Sequence, residues 1–217
     1  FGTNQVMALT TTQARALEAA DLQVLSTTQL RQVAGPQFAS LFTDRIAALT
    51  TDQVSSLNLG QIQAMGTAQV RALNSEQLVA LSSAQIKLLS SAQVRGLSTE
   101  QVASLQTRDI ASLMNAQVSA LSTDQVAGLT SDQIVAILPT QISGIGTAQI
   151  AAIEAEDLQV MRSSQIAALL NTQAAALQLN QIQSLGSDQL SGFNQVHVTA
   201  LSSAQLRAFS TEQIQQL

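Results

Sequence analysis

Few residues of this chain could perform chemistry, and none of them stands among suitable partners. His197 is the only histidine, and its neighbours in sequence are Gln, Val and Thr residues. A histidine that acts as a base or binds a metal needs partners such as Cys, another His or clustered acids. The many serines have no base beside them, and no phosphate loop or nucleotide fingerprint occurs. We therefore predict no catalytic residue and interpret His197 as a tolerated substitution.

The densest group of acids is Glu154-Ala155-Glu156-Asp157. Calcium loops place Asp and Asn at alternating positions together with Gly, and this segment lacks that pattern. The chain has no Cys, which excludes thiolate metal sites and disulfides. We predict no metal-binding or cofactor-binding residue, no cofactor, and a protein that is not an enzyme.

The composition argues against nucleic acid and membrane partners. Charged residues make up 11% of the chain and the net charge is −5. Binding to nucleic acid or to an anionic membrane needs a basic face. No apolar run approaches the roughly 18 residues that span a bilayer. We expect no nucleic acid partner and no insertion into a membrane.

An eight-residue repeat occupies the whole sequence and explains this composition. Counting in steps of eight from Gln5 gives 27 repeats without an insertion or deletion, and Gln holds 22 of the 27 first positions. Positions two and five are apolar in every repeat, position four is mostly Ala, Gly or Ser, and positions six and seven are rich in Ser and Thr. The consensus is Gln-Val-x-Ala-Leu-Ser-Thr-x. The exceptions at position one are Asp21, Arg45, Asp109, Asp157 and His197.

The repeat predicts one short helix per unit. Apolar residues at i and i+3 share one face of a helix but opposite faces of a strand. A continuous helix is excluded, because eight residues at roughly 100° each leave a drift of about 80° per repeat. Ser98 and Gln101 form a capping box, which starts a helix at position six. Pro139 fits a cap at position six, whereas Pro36 fits a cap at Gly35 in position seven, so both caps stay open.

Stacking of these helices predicts an all-α solenoid with positions two and five in one continuous core. Positions three and eight are expected in solvent, and small residues at position four let backbones approach. We predict two helices per coil, which gives a rod on the order of 100–130 Å at roughly 8–10 Å per coil. A β-solenoid is the alternative, but the period-two alternation of strands is missing. We expect a single array over residues 1–217, cut from a longer one.

The exceptions at position one have simple interpretations. The carboxylates of Asp21, Asp109 and Asp157 are expected to serve a helix N-terminus as the Gln amide does. Arg45 is expected to pair with Asp44 or Asp52, or to be a solvated surface charge.

Units such as Leu97-Ser98-Thr99-Glu100-Gln101-Val102 resemble the octapeptide arrays of very long Gram-negative bacterial proteins that are described as haemagglutinin-like or adhesion proteins. The resemblance covers the whole chain and implies a secreted or surface-displayed segment. The function that we expect is an extended spacer or stalk, with flanking repeats of the same chain as its neighbours. The alternative is a module that binds a protein or a glycan through positions three and eight.

Overall fold

The computed structural model describes residues 2–217, and its secondary structure consists of short α-helices, with no strand among these residues. The contacts divide the chain into two compact units, Phe1–Ser112 and Leu113–Leu217. The prediction of an all-α solenoid with one helix per repeat is therefore confirmed, and the single array over residues 1–217 stays a prediction.

The described residues of the first unit form fourteen helices, each of four to six residues. They are α1 (Thr3–Met7), α2 (Thr11–Ala16), α3 (Ala19–Gln23), α4 (Thr27–Leu30), α5 (Gly35–Ala39), α6 (Thr43–Ala47), α7 (Thr51–Ser55), α8 (Leu59–Ala64), α9 (Thr67–Ala72), α10 (Ser75–Ala80), α11 (Ser83–Ile86), α12 (Ser91–Gly96), α13 (Thr99–Ser104) and α14 (Thr107–Ser112).

The second unit contains thirteen helices of the same length. They are α15 (Asn115–Ala120), α16 (Thr123–Ala127), α17 (Ser131–Ala136), α18 (Pro139–Ile142), α19 (Thr147–Ala152), α20 (Ala155–Val160), α21 (Ser163–Ala167), α22 (Asn171–Ala174), α23 (Leu179–Ser184), α24 (Ser187–Leu190), α25 (Gln195–Ala200), α26 (Ser203–Ala208) and α27 (Thr211–Ile214).

The helices begin after a cap at position six. In α13 the Ser98 hydroxyl accepts from the Gln101 N–H at 3.1 Å, and the Gln101 side-chain oxygen accepts from the Ser98 N–H at 2.8 Å. This reciprocal pair satisfies two amides that the helix start leaves without partners. The expected cap at Gly35 is wrong, because α5 begins at Gly35 and its N-cap is Ala34. The position of Gln, three residues after the cap, fixes the start even where the cap has no hydroxyl.

The helices end at positions two to four without a left-handed residue, since no residue that the structure describes has a positive φ. Leu97 is extended, with φ −63° and ψ 150°, and its N–H donates to the Val94 carbonyl at 3.2 Å. The extended residues at positions five and six redirect the chain into the next helix.

Positions two and five form the core of each unit, as predicted. Val102 is 0% exposed and Leu105 is 5% exposed, and the same positions are buried in nearly all other repeats. Position eight, which carries most of the acids, is exposed in residues such as Glu100 and Asp132.

The coil is wider than the predicted pair of helices. In both units most helices pack on the third helix along the chain, as α7 does on α10 and α20 does on α23. Side-chain hydrogen bonds between coils join residues 28 and 31 positions apart, for example Gln53 to Leu25 and to Leu22. One coil therefore contains about three and a half repeats. The expectation of two was wrong because a helix of about 6–9 Å is too short to cover a core with one antiparallel partner.

Small residues at position four allow the coils to approach each other. A Cβ on Gly192 would lie 2.2 Å from the Ser163 carbonyl oxygen, and one on Gly144 would lie 3.0 Å from the Asn115 carbonyl oxygen. Both contacts join position four to the first residue of a helix 29 positions earlier. Position four is therefore small because backbone faces it.

The buried face can be tested at position five. Leu121→Ala is expected to lower the free energy of unfolding by about 2–3 kcal/mol, because Leu121 is 6% exposed and its removal leaves a cavity. Glu100→Gln is expected to change the free energy of unfolding by less than about 0.5 kcal/mol, since Glu100 is on the surface. Urea denaturation measures both, and equal effects would contradict the assignment of the core.

Candidate functional site

The most regular polar feature is the Gln at position one, which is buried and joins neighbouring coils. Gln53 is 3% exposed. Its side-chain oxygen accepts from the Thr50 N–H at 3.0 Å, while its Nε2 donates to the Leu25 carbonyl at 2.8 Å and to the Leu22 carbonyl at 2.7 Å. One amide therefore starts its own helix and also binds the end of a helix in the preceding coil.

This arrangement repeats along both units and forms a ladder of amides. Among the residues that the structure describes, the Nε2 of Gln37 donates to the Leu9 carbonyl 28 residues earlier, and at least fifteen further repeats make the same bond to the position-five carbonyl at 2.5–2.9 Å. The donors are Gln53, Gln61, Gln69, Gln77, Gln85, Gln93, Gln101, Gln141, Gln149, Gln165, Gln173, Gln181, Gln189, Gln205 and Gln213. The sequence analysis predicted the cap but missed the bond between coils.

His197 takes the place of Gln in this ladder. Its Nδ1 accepts from the Asn194 N–H at 3.2 Å, and its Nε2 lies 2.8 Å from the Leu169 carbonyl oxygen, 28 residues earlier. Because a carbonyl only accepts, the two bonds assign the neutral tautomer with the proton on Nε2. The ring is 1% exposed and both of its nitrogens are engaged in structural bonds.

Arg45 also replaces Gln while keeping the bond to the preceding coil. Its Nε donates to the Leu17 carbonyl at 3.2 Å, again 28 residues earlier. Its guanidinium also pairs with Asp44, which is one of the two predicted partners. The alternative interpretation, a solvated surface charge, is wrong. Only a quarter of the Arg45 side chain is exposed, and its guanidinium is bonded to the Leu17 carbonyl and to Asp44.

Asp109 and Asp157 are buried and use a different partner. Asp109 is 0% exposed, accepts from the Gln106 N–H at 3.2 Å and accepts from the Ser83 hydroxyl at 2.7 Å. Asp157 accepts from the Ser131 hydroxyl at 2.6 Å. A carboxylate cannot donate to the carbonyls that Gln binds, so a hydroxyl at position seven, 26 residues earlier, supplies the donor. The prediction that the Asp109 carboxylate caps the N-terminus of its helix is confirmed. The sequence analysis missed the bond that Asp109 accepts from Ser83 of the preceding coil.

Asp21 shows the cap alone. It is exposed, and its carboxylate accepts from the Glu18 N–H at 2.9 Å, as predicted. Asp21 and Asp109 therefore show an aspartate at position one in two environments. Asp21 lies in solvent, and Asp109 lies in the core.

Replacing a buried carboxylate by the consensus amide is expected to stabilise the protein. Asp109→Gln removes a buried carboxylate, whose ion-pair partner Arg108 is mostly in solvent, and restores a donor toward the preceding coil, so we expect the free energy of unfolding to rise by about 1–2 kcal/mol. The matched control, Asp21→Gln, is exposed and should change it by less than about 0.5 kcal/mol. Urea denaturation measures both variants. A fall in stability for Asp109→Gln would show that the pair with Ser83 is the better bond.

The comparison with known protein families supports the repeat. Residues 54–90, 77–107 and 102–138 match the ALTTAQ repeat. This part of the chain is similar to a family of tandem repeats. The six letters of that description correspond to positions four to eight and position one of the octad, as in Ala80-Leu81-Ser82-Ser83-Ala84-Gln85. No curated protein matches the chain significantly.

The carboxylates of the acidic segment 154–157 do not point to a common site. Glu154 and Glu156 are exposed, whereas Asp157 is buried against Ser131. Among residues 2–217, no group of three or more His, Cys, Asp or Glu side chains could hold a metal ion.

Two exposed glutamates interact with the start of their own helices. The pKa of Glu100 lies below its ordinary value of 4.5, first because its own backbone N–H donates to the carboxylate, then because of the Ser98 hydroxyl and the charge of Arg71. The pKa of Glu212 is lowered by its own backbone N–H and by Ser210.

These two pKa shifts give a prediction for pH. A lowered carboxyl pKa adds stability above the pKa of the unfolded chain, and this stability is lost as the pH falls through the folded value. Titration of the carboxyl carbons by NMR is expected to place both pKa values below 4.5. Ser98→Ala should raise the pKa of Glu100 and leave that of Glu212 unchanged. A Glu100 pKa at or above 4.5 would contradict the contacts described.

The surface of each unit has grooves between coils and an uneven distribution of charge. Three open depressions are each lined by one arginine: Arg31 beside Asn58, Arg71 beside Gly96, and Arg162 near Asp188. The first unit has seven basic and seven acidic residues, whereas the second has two basic and seven acidic residues. No helix within residues 2–217 is both long and apolar enough to span a membrane.

Proposed function

We propose that this chain is a structural spacer in a larger bacterial surface or secreted protein. The observation that carries the proposal is the ladder of amides, in which the most regular polar residue of the repeat bonds coil to coil. Stability in such an array is a sum of local and nearest-neighbour terms, so added repeats lengthen it without a new core. The resemblance to bacterial octapeptide arrays supports the cellular setting.

The buried polar groups are engaged in structural bonds, which supports a mechanical role without a reaction. Every buried side-chain nitrogen and oxygen among the described residues has a hydrogen-bond partner. Active sites often retain buried polar groups whose bonding is left for a substrate. We infer that the chain is not an enzyme and binds no cofactor.

The spacer proposal predicts how size grows with repeat number. A second copy of residues 122–177, inserted after Leu177, adds seven repeats or about two coils. At about 8–10 Å per coil the longest dimension should grow by about 16–20 Å. In a compact globule the radius of gyration scales as about N^0.38, and the same insertion should enlarge it by only about 9%.

Small-angle X-ray scattering of the parent and the lengthened chain measures this difference. An increase of the longest dimension with an unchanged cross-section supports the spacer. A parent radius of gyration near 17 Å, the value for a globule of this length, would remove the proposal, because a compact body cannot separate distant partners.

A further inference from the structure

One position of the ladder of amides carries a side chain whose charge changes near neutral pH. We call each position-one side chain, together with its bond to the preceding coil, a rung of the ladder. The amide of Gln neither gains nor loses a proton in this range, whereas histidine changes its charge between about pH 5 and 8. His197, in α25, is the only histidine of the chain. The His197 rung can therefore respond to acid in a way that the Gln rungs cannot.

Both hydrogen bonds of the His197 rung are made by the neutral ring. The Asn194 N–H donates to Nδ1 at 3.2 Å, and the Nε2–H donates to the Leu169 carbonyl at 2.8 Å. A protonated imidazole carries a hydrogen on both nitrogens and accepts no hydrogen bond. Protonation would keep the bond to Leu169 but would turn the bond from Asn194 into a contact between two N–H groups. The start of α25 would then lose one of the two bonds of its capping box.

The surroundings of His197 offer a protonated ring little compensation. The imidazole is 1% exposed, so water does not solvate it. Helix α22, which packs on α25, carries no titratable or charged residue. The helices before and after α25 carry Asp188 and Arg207, and both of these residues are exposed. The Phe193 ring centroid lies 5.1 Å from that of His197, but one aromatic contact does not replace hydration or a carboxylate partner.

Helix α25 depends on this rung more than a typical helix of the array does. Val198, at position two of this repeat, is half-buried, whereas Val102 at the same position of α13 is fully buried. His197 is the one buried residue within α25. Segments that bury little apolar area can open without unfolding the whole protein. The bonds of the His197 ring are therefore a large part of what holds α25 in place.

We propose that His197 is a pH-sensitive rung, which holds α25 against α22 at neutral pH and releases it in mild acid. The proton is the signal, and the two hydrogen bonds of the ring respond to it. The Gln rungs on either side, Gln189 and Gln205, keep their bonds because their amides stay neutral. Acid therefore loosens one place in the array and leaves the other coils closed.

The direction of the pH dependence follows from the state that binds the proton. Once α25 opens, its histidine takes up a proton as a free histidine does, near pH 6.5. The closed segment holds the ring without this proton, so opening and proton uptake are coupled. The closed state is therefore fully favoured above about pH 6.5, and it becomes less favoured by up to about tenfold for each pH unit below that value.

Hydrogen exchange of the full chain, followed by mass spectrometry at about pH 7.5 and about pH 5, measures the opening of each segment. Each exchange rate is divided by the intrinsic rate at the same pH, because the intrinsic rate itself changes with pH. In the parent, the protection of residues 194–200 is expected to fall about tenfold at the lower pH, while that of the matching residues 98–104 changes less than about twofold. Free Asp and Glu remain mostly charged at about pH 5, so a change of charge in this range comes mainly from histidine.

His197→Gln is the matched control, because it restores the consensus amide. Its residues 194–200 should be equally protected at the two pH values. Equal protection of these residues in the parent at both pH values overturns the proposal, and so does the same loss of protection in His197→Gln. Nitrogen NMR of the parent imidazole at about pH 7.5 adds a test that needs no variant. The proton is expected on Nε2, and a proton on Nδ1 would also overturn the proposal, since Nδ1 could not then accept from Asn194.

Discussion

Gln165→Glu is expected to lower the free energy of unfolding by about 3–5 kcal/mol. Gln165 is 0% exposed, and its Nε2 donates to the carbonyls of Ile134 and Ile137 at 2.8 and 2.7 Å. A glutamate has nearly the same shape but no donor, so a buried charge would face two acceptor oxygens. The substitution tests whether the ladder of amides holds the coils together.

Gln183→Glu is the matched control for this substitution. Gln183 is at position three and is exposed, so the same chemical change should alter the free energy of unfolding by less than about 0.5 kcal/mol. Urea denaturation at pH 7 measures both variants beside the parent. Similar losses for Gln165→Glu and Gln183→Glu would show that the bonds between coils contribute nothing specific.

Deletion of whole repeats is expected to preserve the fold, whereas deletion of half a repeat is not. Removing residues 122–129 or 122–137 leaves every downstream position opposite the same type of position in the preceding coil. Removing residues 122–125 takes away the cap and Gln of one helix and shifts the next coil by half a repeat. Ser and Thr would then oppose the core where Val and Leu are needed.

Thermal unfolding followed by far-UV circular dichroism compares the three deletions with the parent, whose spectrum should be helical. The deletions of eight and sixteen residues should melt within a few degrees of the parent. The deletion of four should melt at least about 10 °C lower, which corresponds to a few kcal/mol for a chain of this size. If the deletions of four and eight residues melt alike, the octad is not the structural unit.

The repeat itself predicted much of the fold. The spacing of positions two and five, with Ser98 and Gln101 as a capping box, was enough to predict the helix, its start and its buried face. The number of helices per coil was not predictable in the same way. It depends on how many helices of about 6–9 Å are needed to enclose the core and on which coil a Gln side chain such as that of Gln53 reaches, and the pattern within one repeat sets neither.

The sequence contained one signal that Gln at position one is buried. This signal is the high frequency of Gln there, which helix capping alone does not explain. Capping is satisfied equally by a carboxylate, as Asp21 shows, so capping does not account for Gln in 22 of 27 repeats. A side chain that both donates and accepts hydrogen bonds is needed at position one only where a carbonyl oxygen of the preceding coil faces it.

The relation between successive repeats also has a genetic consequence. Within each unit the bonds between coils recur at the same spacing along the chain, and the coil does not contain a whole number of repeats. A gene that gains or loses any multiple of eight codons through recombination between similar segments still encodes matching coils. Array length can therefore change between generations without a folding barrier, and selection can act on length separately from stability.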